Sequence, residues 1–467
     1  MMNKAPQHDY QDTIYATASA PGRGGVAVVR VSGQGALESA LALCDKDVNS
    51  IIPRYSNYVK LCDPVSRETI DHALMVYFKS PASFTGEDIV EYHVHGGTAV
   101  VSALHAALAN FKSHRLALPG EFTRRAFENG KLDLTAAEAV ADLVDAETSL
   151  QRLQALDQLS GSLGDLYLSW ADTLRKFVAH IEADLEFPDE DMPDGILPDI
   201  LPRIKALASA IADHLNDGGK GERLRDGIKI AVVGAPNAGK SSLVNALSAR
   251  DVAIVSDLAG TTRDIIEVPL DIGGYPVLLQ DTAGLRPKQL REKSESETLS
   301  AHDAIESEGI KRALNAAKNA DIRLLVFDIT ATAPDPDTMA LIDQKSICVF
   351  NKADEGQSIP KNPNIDSTVA IALSVAQDKN LDGLTDLLKR RLAADFGRGE
   401  QPSLTRARHR DVLVKCQESL ERALNAPLPE LVAEDLRLAL RELGRMTGHV
   451  HVEELLDTIF KDFCIGK

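Results

Sequence analysis

Cysteine is scarce: Cys44, Cys62, Cys348, Cys416 and Cys464 are the five in 467 residues. Their number is odd, their spacing wide, and no pair forms C-x-x-C, so neither a disulfide framework nor a zinc site is indicated. No stretch approaches the roughly 18 apolar residues that a membrane span needs. The stretch Met1 to Tyr10 holds no apolar signal-peptide core. These absences give the expectation of a reducing, cytoplasmic compartment and no membrane. Basic charge is in deficit too: Lys plus Arg total 51 against 69 for Asp plus Glu, a formal charge of -18. Such a surface does not grip nucleic acid or anionic lipid broadly. A local basic patch or a basic partner must supply any hold on RNA. Internal repeats and low-complexity tracts are missing as well.

What is present suits several cores. Hydrophobic residues are 44% and charged residues 26%, and the length matches about three domains. Up to about residue 130, β-branched runs such as Gly25–Ser32 and Ala73–Phe78 alternate with glycine turns, and Val100–Leu108 has helical spacing. Residues 1–130 therefore read as an α+β domain. From Leu132, leucines recur at three- and four-residue steps, the mark of long amphipathic helices. The acidic Phe187–Pro202 segment reads as a connector, followed by a helix ending at Gly218-Gly219. Strands alternate with helices from Ile228 to Leu388, the pattern of a parallel-sheet α/β domain. Helical spacing returns over Arg406–Leu424 and Leu431–Met446. The expected organisation is an α/β domain at 225–392 inserted in a helical domain, whose parts are 131–224 and 393–467.

The α/β segment carries the chemistry. Ile228–Gly234 is a strand running into G-x-x-x-x-G-K-S, the context this phosphate-binding motif requires. Asn237, Ala238, Gly239, Lys240, Ser241 and Ser242 form the expected cradle, with backbone N–H groups curling around phosphate at a helix start. Lys240 reaches the β- and γ-phosphates, and the Ser241 hydroxyl suits magnesium. Downstream, Asp281-Thr282-Ala283-Gly284 follows a strand; Asp281 can hold the magnesium shell and the Gly284 N–H can meet the γ-phosphate. Asn351-Lys352-Ala353-Asp354 then supplies base recognition. A carboxylate at Asp354 accepts from the ring N–H and the exocyclic amine of guanine, a donor pair that adenine lacks. The nucleotide expected is GTP. Leu285 stands where Ras-like enzymes place a water-orienting glutamine, so another residue and another positive charge must serve.

Pro21–Val26, Leu118–Phe127, Gly260-Thr-Thr-Arg-Asp264 and the terminal Phe463-Cys-Ile-Gly-Lys467 extend this reading. Together with the nucleotide motifs they resemble the tRNA-modification GTPases of the MnmE (TrmE) family, over essentially the whole chain. The resemblance implies a homodimer formed through the N-terminal domain. It also implies a heterotetramer or larger complex with the flavoprotein MnmG, and tRNA as substrate. The implied product carries a carboxymethylaminomethyl-type group on the 5-position of the wobble uridine. It further implies potassium-stimulated GTP hydrolysis and a bound 5-formyltetrahydrofolate or related tetrahydrofolate. By motif, Asn237, Ser256, Leu258 and Thr261 correspond to potassium ligands and Thr262 to a magnesium ligand. A plain loop-stabilising amide is the other reading of Asn237. A cation beside the phosphates can replace an arginine finger. The family's water-positioning glutamate maps to Glu306, past an apparent insertion at Pro287–Ser300. Glu292, Glu295 and Glu297 compete for that role. Ser374-Val-Ala376 replaces the usual Ser-Ala-Lys of the guanine loop, a change tolerated where backbone N–H groups make the contact.

The resemblance maps folate binding to Arg30, Glu91, Lys131 and Lys467. A pterin presents a guanine-like donor edge that a carboxylate reads, and basic groups suit carboxylate or formyl oxygens. Otherwise each would be a surface charge or local ion pair. Cys464 is either a small buried hydrophobe or a thiol made reactive by neighbouring lysines. His93 and His95 share one strand face, and a polar structural role is favoured over a metal site. Two other functional readings compete: a GTP switch in ribosome assembly, and a folate-dependent one-carbon transferase with a regulatory GTPase. The acidic helices and the C-I-G-K tail argue against the first, which calls for a basic RNA-binding module.

Overall fold

Alternation of apolar residues sets the first sheet. Its strands are β1 (Thr13–Thr17), β2 (Gly24–Ser32), β3 (Ser56–Cys62), β4 (Thr69–Phe78), β5 (Ile89–Gly96) and β6 (His114–Leu116). They lie in the order β3-β4-β5-β2-β1-β6, antiparallel except for the parallel β1–β6 pair. Val29, Val31, Val90 and Tyr92 face α1 (Ala36–Cys44) and α2 (Thr98–Ala109), which cover one face of the sheet. With a period of two, Arg30 and Glu91 emerge on the other face. The computed structural model describes residues 12–44, 46–186, 197–250, 267–281, 315–355, 369–397, 399, 402–448, 453–461 and 463–466. The chain divides into two units, one of Met1–Val144, Ala155–Ile211 and Asp411–Lys467, the other of Asp145–Gln154 and Ala212–Arg410.

Helices continue the chain as α3 (Glu121–Glu128), α4 (Leu134–Asp145), α5 (Ser149–Leu159), α6 (Ser162–Glu186), α7 (Leu197–Leu215) and α8 (Lys220–Asp226). The long leucine-spaced region is thus broken twice. One break is a capping box at Thr148-Ser-Leu-Gln151: the Gln151 side chain accepts from the Thr148 N–H at 3.0 Å, and the Gln151 N–H donates to the Thr148 hydroxyl at 3.4 Å. The other is Gly161, at φ +98°. The connector expected to reach Pro202 is shorter: α7 begins at Leu197 and holds Pro202 inside. As the sixth residue of α7, Pro202 lies past the first turn and forgoes one hydrogen bond of the ladder, which this helix of 19 residues tolerates.

The second sheet comprises β7 (Ile228–Gly234), β8 (Glu267–Ile272), β9 (Tyr275–Asp281), β10 (Ile322–Asp328), β11 (Ser346–Asn351) and β12 (Ala370–Ala372). Its order is β12-β11-β10-β7-β9-β8, with β8 alone antiparallel to its neighbour. Its central strands are apolar on both faces, as burial between two helical layers demands. Ile230, Val232, Leu324, Val326, Ile347 and Val349 face one core, while Ala231, Val233, Leu325, Phe327, Cys348 and Phe350 face another. Further helices are α9 (Lys240–Ala249), the single turn α10 (Pro336–Met339), α11 (Leu381–Phe396), α12 (Ala407–Asn425), α13 (Pro429–Thr447) and α14 (Glu453–Lys461). In the first unit α13 packs along α6. This is the multidomain α/β plus all-α fold expected, with the α/β segment entered from helices and left into helices.

A buried ion cluster fixes the first unit. Arg125 on α3 has no exposed side-chain surface and meets Asp12 at 2.9 Å, Glu121 at 3.0 Å and Glu87 at 3.2 Å. Arg115 shares Asp12 and Glu121, each at 2.6 Å. Burial opposes ionisation of Asp12 and Glu121, yet hydrogen bonds and charge from the two arginines outweigh it and hold both below the ordinary carboxylate value. At Glu87 burial wins, and the carboxyl is pushed up. Removing one partner of such a cluster strands the others. Arg125→Met should destabilise the protein by about 3–5 kcal/mol at neutral pH in chemical denaturation. Wild-type stability from Asp12 and Glu121 is present above their unfolded values and lost as pH falls through the lowered folded values. The variant lacks much of that stabilisation, so its deficit should shrink as pH falls from about 4 toward about 3. An equal deficit at both pH values would contradict the assignment.

Candidate nucleotide site

The central strand β7 delivers the phosphate loop to the carboxyl edge of the sheet, the edge where open α/β folds bind ligands. Glycine is required at both ends of the loop. A Cβ on Gly234 would lie 2.2 Å from the Val326 carbonyl oxygen. One on Gly239, which sits at φ +98°, would lie 2.1 Å from Asn351 Nδ2. Asn237 is exposed and also left-handed, at φ +63°. Ala238 is buried. The helix α9 starts directly after Gly239, so its free N–H groups and positive dipole end complete an anion cradle. Lys240 Nζ donates to the carbonyls of Gly234 and Ala235, both at 2.8 Å, holding its ammonium over the loop. Ser241 and Ser242 occupy the first turn of α9. The Ser241 hydroxyl is a hard oxygen donor beside this cradle, a donor type that fits magnesium.

Asn351 ends β11 and joins the loops. Its Nδ2 donates to the Ala238 carbonyl at 2.9 Å, and its Oδ1 accepts the Val375 N–H at 3.1 Å. The phosphate loop and the Ser374 loop are thereby tied to one buried amide. Ser374 is fully buried and exchanges backbone hydrogen bonds with Lys379. The Ser374 hydroxyl, with backbone N–H and the charge on Lys379, holds the Asp354 carboxyl below its ordinary value, leaving it an acceptor at neutral pH. Lys352 sits at φ +67° and forms an ion pair with Asp328, the last residue of β10. Burial opposes ionisation of Asp328, but hydrogen bonds from Lys352 and Thr330 and the lysine charge outweigh it, lowering its pKa. The sequence motifs do not include Asp328; an aspartate closing an apolar strand at this edge is its one sequence signal.

Asp281 ends β9, and its backbone pairs with Val232 of β7, which puts it at the same sheet edge. Ser256, Leu258, Thr261, Thr262, Thr282, Ala283, Gly284, Glu306 and Lys467 lie outside the described residues, as does Pro287–Ser300.

A second candidate site lies on the first unit. Arg30 and Glu91 are register partners on β2 and β5, with Arg30 Nε donating to Glu91 Oε1 at 2.9 Å. The Arg30 guanidinium also lies 5.5 Å from the Phe84 ring centre and 5.6 Å from that of Phe122. Lys131 Nζ donates to the Pro81 carbonyl at 3.1 Å, so the loop carrying Phe84 touches both basic residues. An acid that keeps one oxygen unclaimed by arginine, beside two aromatic rings, fits a flat heteroaromatic with a donor edge. Residues 463–466 reach the same unit. The Cys464 carbonyl accepts from the Gly120 N–H at 3.3 Å, and a Cβ on Gly466 would lie 2.3 Å from the Thr17 carbonyl. Cys464 is exposed, not the buried hydrophobe. His95 pairs with Asp71 at 2.8 Å, and His93 lies 3.9 Å from Glu91.

The strand, loop and helix around Lys240 define a P-loop GTPase domain. The model for the MnmE helical domain matches residues 134–464, and that for the GTP-binding protein TrmE N-terminus matches residues 13–131. A tRNA modification GTPase MnmE of Parvibaculum lavamentivorans is 48% identical over 460 residues, covering 98% of this chain and 100% of its own. Its counterpart from Rhodospirillum rubrum is 47% identical over 471 residues, covering 98% and 99%. That of Rickettsia bellii is 46% identical, covering 98% and 100%. The chain belongs to the MnmE family of tRNA modification GTPases.

The loop geometry makes a direct prediction. Gly239→Ala adds a Cβ against Asn351 at a left-handed position, a strain of about 1–3 kcal/mol. GTP binding should weaken roughly 10- to 100-fold, measured by titration with a fluorescent guanine nucleotide. Wild-type affinity in the variant would show that the loop can relax.

Proposed function

We propose that this chain hydrolyses GTP within tRNA wobble-uridine modification. The observation that carries the reading is the pair of Asn351 hydrogen bonds joining the phosphate cradle to the loop beside Asp354, in a chain of this family. Asp354 accepts the two donors of guanine, and the Lys240 ammonium neutralises charge on the β- and γ-phosphates. Glu306 orients the attacking water for in-line displacement at the γ-phosphate. Ser241 and Thr262, with Asp281, would hold magnesium, and Asn237, Ser256, Leu258 and Thr261 would hold potassium; the two cations would supply positive charge against the negative charge developing in the transition state. Because Leu285 offers no hydrogen-bonding group to the water, Glu306→Ala should cut hydrolysis by about 10²-fold or more. A wild-type rate in that variant would reassign the role.

Around this engine the reading places a homodimer, the flavoprotein MnmG as partner in a heterotetramer or larger complex, and a cytoplasmic setting. Arg30, Glu91, Lys131 and Lys467 form the site for 5-formyltetrahydrofolate or a related tetrahydrofolate. The product is a carboxymethylaminomethyl-type substituent at the wobble uridine. At -18, this chain leaves much of the grip on tRNA to its partner. Mass spectrometry of wobble nucleosides from cells lacking the chain is the decisive test. The substituent should vanish, and wild type should restore it while Lys240→Ala does not. Unchanged nucleosides would remove the modification role and leave a GTP switch.

A further inference from the structure

Asp328 has a role in no part of the scheme above, yet it sits in the middle of the site. It closes β10 directly beside Asn351, its register partner on β11. One carboxylate oxygen accepts from the Thr330 N–H at 3.0 Å and the Thr330 hydroxyl at 2.6 Å. The other oxygen holds Lys352 Nζ. The carboxylate is thus clamped by its own turn and oriented before it meets the lysine. Lys352 follows Asn351 in a left-handed conformation, which turns its side chain off the strand direction and back toward β10. A lysine in this position has a flexible four-carbon stem and a strongly hydrated head. Left unpinned, the head is drawn into water and the stem samples many rotamers. Held at its tip by Asp328, the stem runs between two fixed points, the Lys352 backbone and the end of β10. A methylene chain tethered at both ends, two residues before Asp354 in sequence, can offer an apolar flank to a planar ring.

We propose that Asp328 is a positioning residue for the guanine nucleotide: it holds Lys352 extended so that the lysine stem forms one wall of the base slot whose edge Asp354 reads. This deepens the GTP reading and rests on it. The contribution is pre-organisation, since the rotamer freedom of Lys352 is surrendered on folding and is not lost again on binding.

The test is a double-mutant cycle in the full-length protein with N-methylanthraniloyl-GDP as probe. Asp328→Asn keeps the shape and an acceptor for Thr330 but removes the charge. It should release the probe roughly 5- to 10-fold faster, and Lys352→Met should do about the same. The double variant should release it no faster than either single one, because both changes undo the same strut. Asp328→Glu should recover part of the loss. Multiplicative effects of the two changes would assign Asp328 a merely structural part and overturn the proposal, as would wild-type release by Asp328→Asn. If wild-type protein fails to bind the probe, the GTP reading itself falls and takes this proposal with it. Thermal unfolding of each nucleotide-free variant separates lost strut from lost fold: a drop in melting temperature that tracks the faster release also counts against the proposal.

Discussion

The nucleotide site depends on one buried amide. The Asn351 side chain bonds both the phosphate loop and the segment after Ser374. Three chain segments far apart in sequence meet there, and the amide partners a backbone group from each of the other two, the Ala238 carbonyl and the Val375 N–H. An amide suits the post because it offers a donor and an acceptor from one planar group. Gly239 lies against it, where no side chain fits. Backbone hydrogen bonds from Leu373 to Phe350, and from Ala353 to Leu373, extend the same frame outward. The loop carrying Asp354 and the phosphate loop are therefore braced to each other through two hydrogen bonds and the short stretch from Asn351 to Asp354.

The first unit solves a different problem with the same economy. A buried arginine is expensive unless every charge around it is matched. Arg125 is matched by three carboxylates, and Arg115 shares two of these. Glu87 links this cluster to the loop before it, since the Ser32 hydroxyl donates to Glu87 at 2.7 Å and also bonds Thr85 at 2.7 Å. That loop carries Phe84, and the helix carrying Arg125 carries Phe122. The two rings that flank Arg30 are thus mounted on the two elements that Arg125 ties together. Surface ion pairs, by contrast, add little; Arg175–Asp172 on α6 is exposed on both sides.

Legibility in the sequence followed distance along the chain. The phosphate loop, the strand before it and the Asn-Lys-x-Asp motif are local patterns, and each names its own conformation. Cooperating parts remote in sequence were invisible: nothing near Asp328 announces Lys352, and nothing near Arg125 announces Asp12 or Glu87. Two local signals were readable and still passed by. Thr148-Ser-Leu-Gln151 has the form of a capping box, but the leucine spacing continues through it and masks the break. Pro202 looked like a stop because proline usually is one. Here α7 runs through it, giving up one hydrogen bond of its ladder. Residue-by-residue carry-over from the family reached Arg30 and Glu91, which the structure brings together, but not the rings beneath them.

Helix α3 joins these themes. Gly120 at its start is left-handed, and a Cβ there would meet the Phe460 carbonyl at 2.8 Å and the Phe463 side chain at 2.9 Å. The close approach seats Phe460 and Phe463 in a small apolar cluster with Phe127 and Leu134. On the same helix, Arg124 pairs with Glu128 at 3.0 Å and Asp457 at 2.7 Å. Glu128, largely shielded from water, is pushed up by burial to about 7. Eight residues therefore carry the buried arginine, one of the two rings at Arg30, and contacts to Asp457, Phe460 and Phe463. A helix so short has little intrinsic stability, so its position is set by what packs on it. Phe460 and Phe463 therefore pack directly on Gly120 at the start of α3, the helix that also mounts Phe122 against Arg30.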